Sequence, residues 1–190
     1  MHKTRLEAFS DGVFAILITI LVLELKAPHG ANWDALSPLW PKALSYALSF
    51  VYLGIYWNNH HHLMHLVQKV SGGMLWANLH LLFWLSLVSF ATAWMGENHF
   101  AALPTALYGA VLLAAALSYF LLVTVIKHQQ GPGSVLAQAV GKDWKGKVSP
   151  LIYAASIPLS FVSPALAMTG YVAVALLWLV PDRRIERQLN

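Results

Sequence analysis

Apolar residues along this chain run in long stretches separated by short polar ones, without the strict alternation of a half-buried strand. Six such stretches can be marked: Arg5 to Leu25, Leu39 to Val67, Met74 to Met95, Pro104 to Lys127, Val148 to Val162 and Pro164 to Val180. Each of the first four supplies the roughly 20 helical residues that cross a hydrocarbon core. The last two are shorter and are divided at Ser163 and Pro164. A proline breaks the helical hydrogen-bond ladder, so this pair reads as a tight helical hairpin, the other reading being one tilted helix with a kink. The Gly131 to Gly133 stretch, in a linker rich in Gly, Gln and Lys from His128 to Lys147, argues for a turn between helices. The pattern predicts an all-α membrane protein of six transmembrane helices, with residues 1–190 forming a single domain.

Composition agrees, since 58% of the residues are hydrophobic and only 11% charged, far from the average of a soluble domain. The lipid bilayer is therefore the first expected partner. The chain has no cysteine, which excludes disulfides and thiolate metal sites. Motifs for nucleic-acid binding are absent. The first helix is expected to stay in the mature protein, because it carries Asp11 near its start and Glu24 at its end and has no small-residue cleavage site. With six spans, Lys3, Arg5, Lys69, Lys127, Lys142, Lys145, Lys147, Arg183, Arg184 and Arg187 fall on one side and only Lys26 and Lys42 on the other. Positive charge collects on the cytoplasmic side of membrane proteins, so both termini are expected to be cytoplasmic.

The first helix, RLEAFSDGVFAILITILVLEL, has one feature that its hydrophobicity does not explain: a Ser and an Asp inside its first two turns. At about 100° per residue, Phe9, Gly12, Ile16, Thr19, Ile20 and Leu23 fall along one stripe, and Asp11 lies roughly 140° away from Ile16. The acid and the Ile stripe cannot face the same neighbour. An unpaired carboxylate at this depth costs about 2.5 to 3.5 kcal/mol on insertion scales, so Asp11 is expected to point into protein, toward a donor. The stripe is left to face lipid, another helix or something else.

This helix resembles the signature of the transmembrane protein 175 family of potassium channels, whose first helix begins with Arg, three residues, then Phe-Ser-Asp. Arg5, Phe9, Ser10 and Asp11 match it. YWNNHH at Tyr56 to His61 and NLHLLFWLSLVSFATAWMGE at Asn78 to Glu97 resemble the second and third helices of that family, with one departure: Ser89 stands before Phe90 where Pro is common. The resemblance implies a potassium-selective channel of the cell membrane, K⁺ as the permeant, no cofactor, and a homotetramer in which the four first helices line a central pore. It also implies that Ile16 forms the narrowest ring, with Ile20 and Leu23 further along the same face. Four such side chains make a dry constriction, unlike a filter of backbone carbonyls. Thr19, near the stripe, is the candidate for tuning selectivity, although Thr in membrane helices also bonds back to its own backbone. Ser10 and Asp11 then read as a latch that sets the rotation of the helix, with candidate partners Trp57, Asn58, His60, His61, Asn78 and His80. Arg5 either pairs near the cytoplasmic mouth or snorkels to headgroups, and the motif favours the pair.

HHHLMH, His60 to His65, invites a metal reading because His61 and His65 share a helix face. Two His with no third ligand or nearby acid make a poor zinc site, so hydrogen bonding within the bundle is expected and no metal. No nucleophile motif frames the Ser, His and Asp that are present, so no enzyme is expected. The competing function is a proton-coupled transporter in which Asp11 and the His60–His65 cluster relay protons. A transporter would keep a polar cavity within each protomer, whereas a channel needs the Ile16 stripe to face its own copies.

Overall fold

A computed structural model describes residues 2–131, 133, 134, 136 and 144–179. Six long helices are present among them: α1 (Lys3–Leu23), α2 (Trp40–His65), α3 (Gly72–Glu97), α4 (Ala102–Gln130), α5 (Trp144–Leu159) and α6 (Pro164–Leu179). Three of these, α1, α3 and α4, are long and apolar enough to cross a membrane, and α6 is apolar but shorter. Pro132, Lys142, Val180, Arg183, Arg184 and Arg187, which entered the turn, span and charge readings, lie outside the described residues.

Helix ends follow local chemistry. The α3 helix starts two residues before Met74 because Ser71 caps it, its Oγ accepting from the Met74 N–H at 3.2 Å. Between α1 and α2 a one-turn helix, Trp33–Leu36, is capped by Asn32, whose Oδ1 accepts from the Ala35 N–H at 3.0 Å. The chain reverses tightly between α3 and α4 through His99 and Phe100, both left-handed at φ 48° and 58°. At the far end of α4, Gly131 takes φ 84°, where a side chain would be strained.

The α2 helix is not uniformly apolar, and the reason lies on one face. Ser45, Ser49, Tyr52, Tyr56 and His60 recur every three or four residues and are all buried. Polar groups sunk in a bundle need partners. Ser49 Oγ lies 2.6 Å from Thr92 Oγ1 of α3 and 2.9 Å from the Tyr108 hydroxyl of α4. Tyr52 donates to the Tyr171 carbonyl of α6 at 2.6 Å and accepts from the Tyr153 hydroxyl of α5 at 3.1 Å. At the opposite end from His65, Lys42 Nζ meets Glu97 Oε1 at 3.0 Å, tying the ends of α2 and α3.

The last two helices form a hairpin, not a kinked rod. The helix breaks between Leu159 and Pro164, and Trp178 Nε1 donates to Ser149 Oγ at 2.8 Å, so the two run antiparallel. Their approach uses small residues: a methyl on Gly170 would strike Ser156. On the other side of α6, the Tyr171 hydroxyl donates to the Thr105 carbonyl at 3.2 Å and lies directly over Gly109, which has no side chain to obstruct it.

Gly109→Ala is therefore expected to lower stability in detergent by about 1–3 kcal/mol, the usual cost of overpacking. Because the added methyl meets the phenol oxygen first, Tyr171→Phe in the same chain is expected to restore part of the loss, as read from thermal unfolding of the two single variants and the double variant.

Candidate functional site on the first helix

The two faces of α1 have different fates. Leu6, Ser10, Phe14, Leu17 and Leu21 are buried against α2 and α3, whereas the stripe of Phe9, Gly12, Ile16, Thr19, Ile20 and Leu23 is exposed in the protomer. Ile16 is 56% and Leu23 72% exposed, so the apolar stripe has no cover within its own chain. Ile18, on the other side, is partly buried and packs against the core.

A chain of three polar side chains fixes which face is which. Asn78 Nδ2 of α3 donates to Ser10 Oγ at 3.0 Å, and its Oδ1 lies 2.7 Å from His60 Nε2 of α2. All three are almost fully buried. The amide serves both neighbours at once, accepting from His60 at its oxygen and donating to Ser10 at its nitrogen, so the His60 ring carries its proton on Nε2. Phe14 lies against the same ring, centroids 5.5 Å apart. Next along α1, Asp11 Oδ1 accepts from Trp57 Nε1 at 3.1 Å, in a more open setting.

Of the six residues named as partners for Ser10 and Asp11, the structure brings Trp57, Asn78 and, through Asn78, His60 to them. The other three bond elsewhere. Asn58 offers its carbonyl to His62 Nδ1 at 2.7 Å, His61 Nε2 meets His65 Nε2 at 3.0 Å, and His80 accepts from Trp84 Nε1 at 3.2 Å. Arg5 is exposed, and among the described residues the ion pair at this end belongs to Lys3 and Glu7, 3.7 Å apart. Lys3 also donates to the His65 carbonyl at 3.0 Å, joining the ends of α1 and α2. The sequence reading did not include this contact, although a Lys two residues ahead of Arg5 was the available signal.

Thr19 donates its hydroxyl proton to the Ile16 carbonyl at 2.9 Å, one turn back and on the exposed face. This fills the donor role of the hydroxyl and leaves its lone pairs unspent. Ser89, at the position where its resemblance would favour Pro, is buried in an unbroken α3, and its hydroxyl is without a partner among the described residues.

A family model described as "Endosomal/lysosomal potassium channel TMEM175" matches residues 5–88. A protein of Chryseobacterium sp. named as a potassium channel is 53% identical over 190 residues, covering 100% of this chain and 99% of the relative. A potassium channel of Streptomyces collinus is 34% identical over 186 residues, 90% of this chain and 89% of the relative. Among solved structures, the fold matches the crystal structure of a lysosomal potassium-selective channel TMEM175 homolog from Chamaesiphon minutus, with a TM-score of 0.84 and 30% identity over 95% of this chain and 97% of that one.

The buried and the open contacts of α1 should differ in cost. Asn78→Ala leaves Ser10 and His60 without their partner, at roughly 1–3 kcal/mol per orphaned group. Trp57→Phe removes only a half-exposed bond and is expected to cost well under half as much. Unfolding of the two variants in the same detergent gives the comparison.

Proposed function

Since this chain belongs to the TMEM175 family of potassium channels, we propose that it conducts K⁺ across the cell membrane through a central pore lined by α1 from four identical chains. The protein is a multi-pass membrane protein. On this reading all six long helices span the bilayer, and the Lys and Arg bias of the connecting segments places both termini in the cytoplasm. The observation that carries the proposal is the exposed apolar stripe of α1, in register with the Ile16, Ile20 and Leu23 positions. Its opposite face is bolted to α2 and α3 by the Ser10–Asn78–His60 chain.

Four Ile16 side chains around an axis offer water no hydrogen bonds, so a narrow column between them dewets and blocks hydrated ions. Conduction requires a wider state, reached by a small tilt or rotation of α1. Thr19 sits one turn beyond Ile16 on the same exposed face. With its proton committed to the Ile16 carbonyl, its oxygen is available to replace part of the K⁺ hydration shell, which assigns it the selectivity role. Ser10 and Asp11 are the latch, acting on the pore only through the direction in which they turn Ile16.

The proton-coupled transporter has no comparable support. His60 is engaged by Asn78 and Asp11 by Trp57, whereas His61 and His65 bond to each other. Among the described residues no hydrogen bond joins Asp11 to the histidine cluster, so the two do not form a continuous hydrogen-bonded relay.

Ile16→Asn is expected to wet the constriction, raising K⁺ flux into liposomes several-fold and weakening discrimination against Na⁺. Ile18→Asn, on the packed side, should not raise flux, and the reverse pattern would refute the pore-face assignment. Asp11→Ala is expected to reduce the yield of tetramer in mild detergent more than it changes selectivity; intact tetramer with altered selectivity would place Asp11 on the ion path instead.

A further inference from the structure

His61 and His65 lie one turn apart on the exposed side of the last two turns of α2, with their Nε2 atoms 3.0 Å apart and both rings open to the outside of the protomer. His62, between them in sequence, is turned away and bonds to the Asn58 carbonyl. The His61 ring is steadied by Trp57, centroids 5.9 Å apart at 31°, and Trp57 is itself held by Asp11. The pair is thus ordered from behind and open in front.

Two imidazole nitrogens binding one metal at about 2.0–2.1 Å must themselves stand about 2.9 Å apart for a right-angled bite and about 3.4 Å apart for a tetrahedral one. The 3.0 Å contact observed between the two nitrogens lies nearer the right-angled bite. Right-angled nitrogen pairs suit square-planar and tetragonal ions, Cu²⁺ and Ni²⁺. No group of three or more His, Cys, Asp or Glu able to hold a metal occurs among the described residues, so the remaining positions would be water. We propose that His61 and His65 form a bidentate site for a divalent first-row transition ion of the Cu²⁺ or Ni²⁺ type, with water completing its coordination. On binding, the ring that donates its Nε2 proton to its partner moves that proton to Nδ1, and both Nε2 lone pairs face the ion. Lys3 faces this end of α2, bonded to the His65 carbonyl, and its charge is offset by Glu7.

The sequence argues against zinc at this pair for want of a third ligand. The geometry leaves that objection in place and points to a different class of ion.

The test uses the full-length protein in mild detergent, freed of any histidine tag, titrated with Cu²⁺, Ni²⁺ and Zn²⁺ by calorimetry, with Cu²⁺ also followed by electron paramagnetic resonance. The expected result is one Cu²⁺ per chain, a spectrum showing nitrogen ligands, and affinity in the order Cu²⁺, Ni²⁺, Zn²⁺. His61→Ala and His65→Ala should each weaken Cu²⁺ binding by about tenfold or more, while His62→Ala leaves it unchanged. Both target side chains are exposed, and an unchanged elution profile shows that the variants fold. Cu²⁺ binding of equal strength in His61→Ala, His65→Ala and the unsubstituted chain would overturn the site, as would the absence of saturable binding at millimolar Cu²⁺. Neither result bears on whether α1 lines a pore.

Discussion

One buried amide determines the orientation on which the rest of this molecule depends. Asn78 has a donor side and an acceptor side, and in the packed interior both must be used. Its nitrogen takes Ser10 and its oxygen takes His60, so α1, α2 and α3 are joined at a single point. Turning α1 by one residue would replace the Ser10 hydroxyl by the Asp11 carboxylate or the Phe9 ring. The first brings a charge into a space where no cation bonds among the described residues, and the second leaves the amide unsatisfied. The observed rotation gives both ends of the Asn78 amide a neutral partner. In that rotation Phe9, Ile16, Ile20 and Leu23 face away from the bundle.

The same economy recurs through the fold. Between helices in a bilayer there is little hydrophobic drive, because lipid is as apolar as the side chains. Specific hydrogen bonds and close packing at small residues do the joining instead. Ser49 gathers Thr92 and Tyr108, and Tyr52 gathers Tyr153 and the Tyr171 carbonyl. Gly96, Gly109 and Gly170 are the points where neighbours approach too closely for a methyl group. The α2 helix supplies the inward half of most of these bonds, which is why it is more polar than α1, α3 or α4 and yet lies deep in the assembly.

Much of this was legible before any coordinates. Long apolar runs set the number of helices, the Pro164 break marked the hairpin, and angular arithmetic on α1 separated Asp11 from Ile16. Partner choice was harder. Asn78 and His80 are two residues apart, hence about 200° around a helix, so only one can face α1. Nothing in the local pattern of α3 says which, because the rotation of α3 is itself decided by its neighbours. The buried stripe Ser45, Ser49, Tyr52, Tyr56 and His60 has a readable spacing, but its meaning rests on Thr92, Tyr108, Tyr153 and Tyr171, far away in the chain. Helix ends shifted for a related reason: the cap at Ser71 extends α3 through two glycines, which by propensity belong to a turn.

The placement of the polar anchor along α1 gives that helix the mechanics of a lever. Its bonds to other helices, at Lys3, Ser10 and Asp11, all lie in the first half; among the described residues the second half is held by apolar contacts at Leu17 and Leu21. Ser10 is then a fulcrum. At about 1.5 Å per residue, Ile16 lies roughly 9 Å and Leu23 roughly 20 Å along the free arm. A tilt of about 6° displaces the first by only about 1 Å and the second by about 2 Å. If four such arms surround an axis, opposite Ile16 residues part by about 2 Å, while the Ser10–Asn78 hydrogen bond at the fulcrum stays in place.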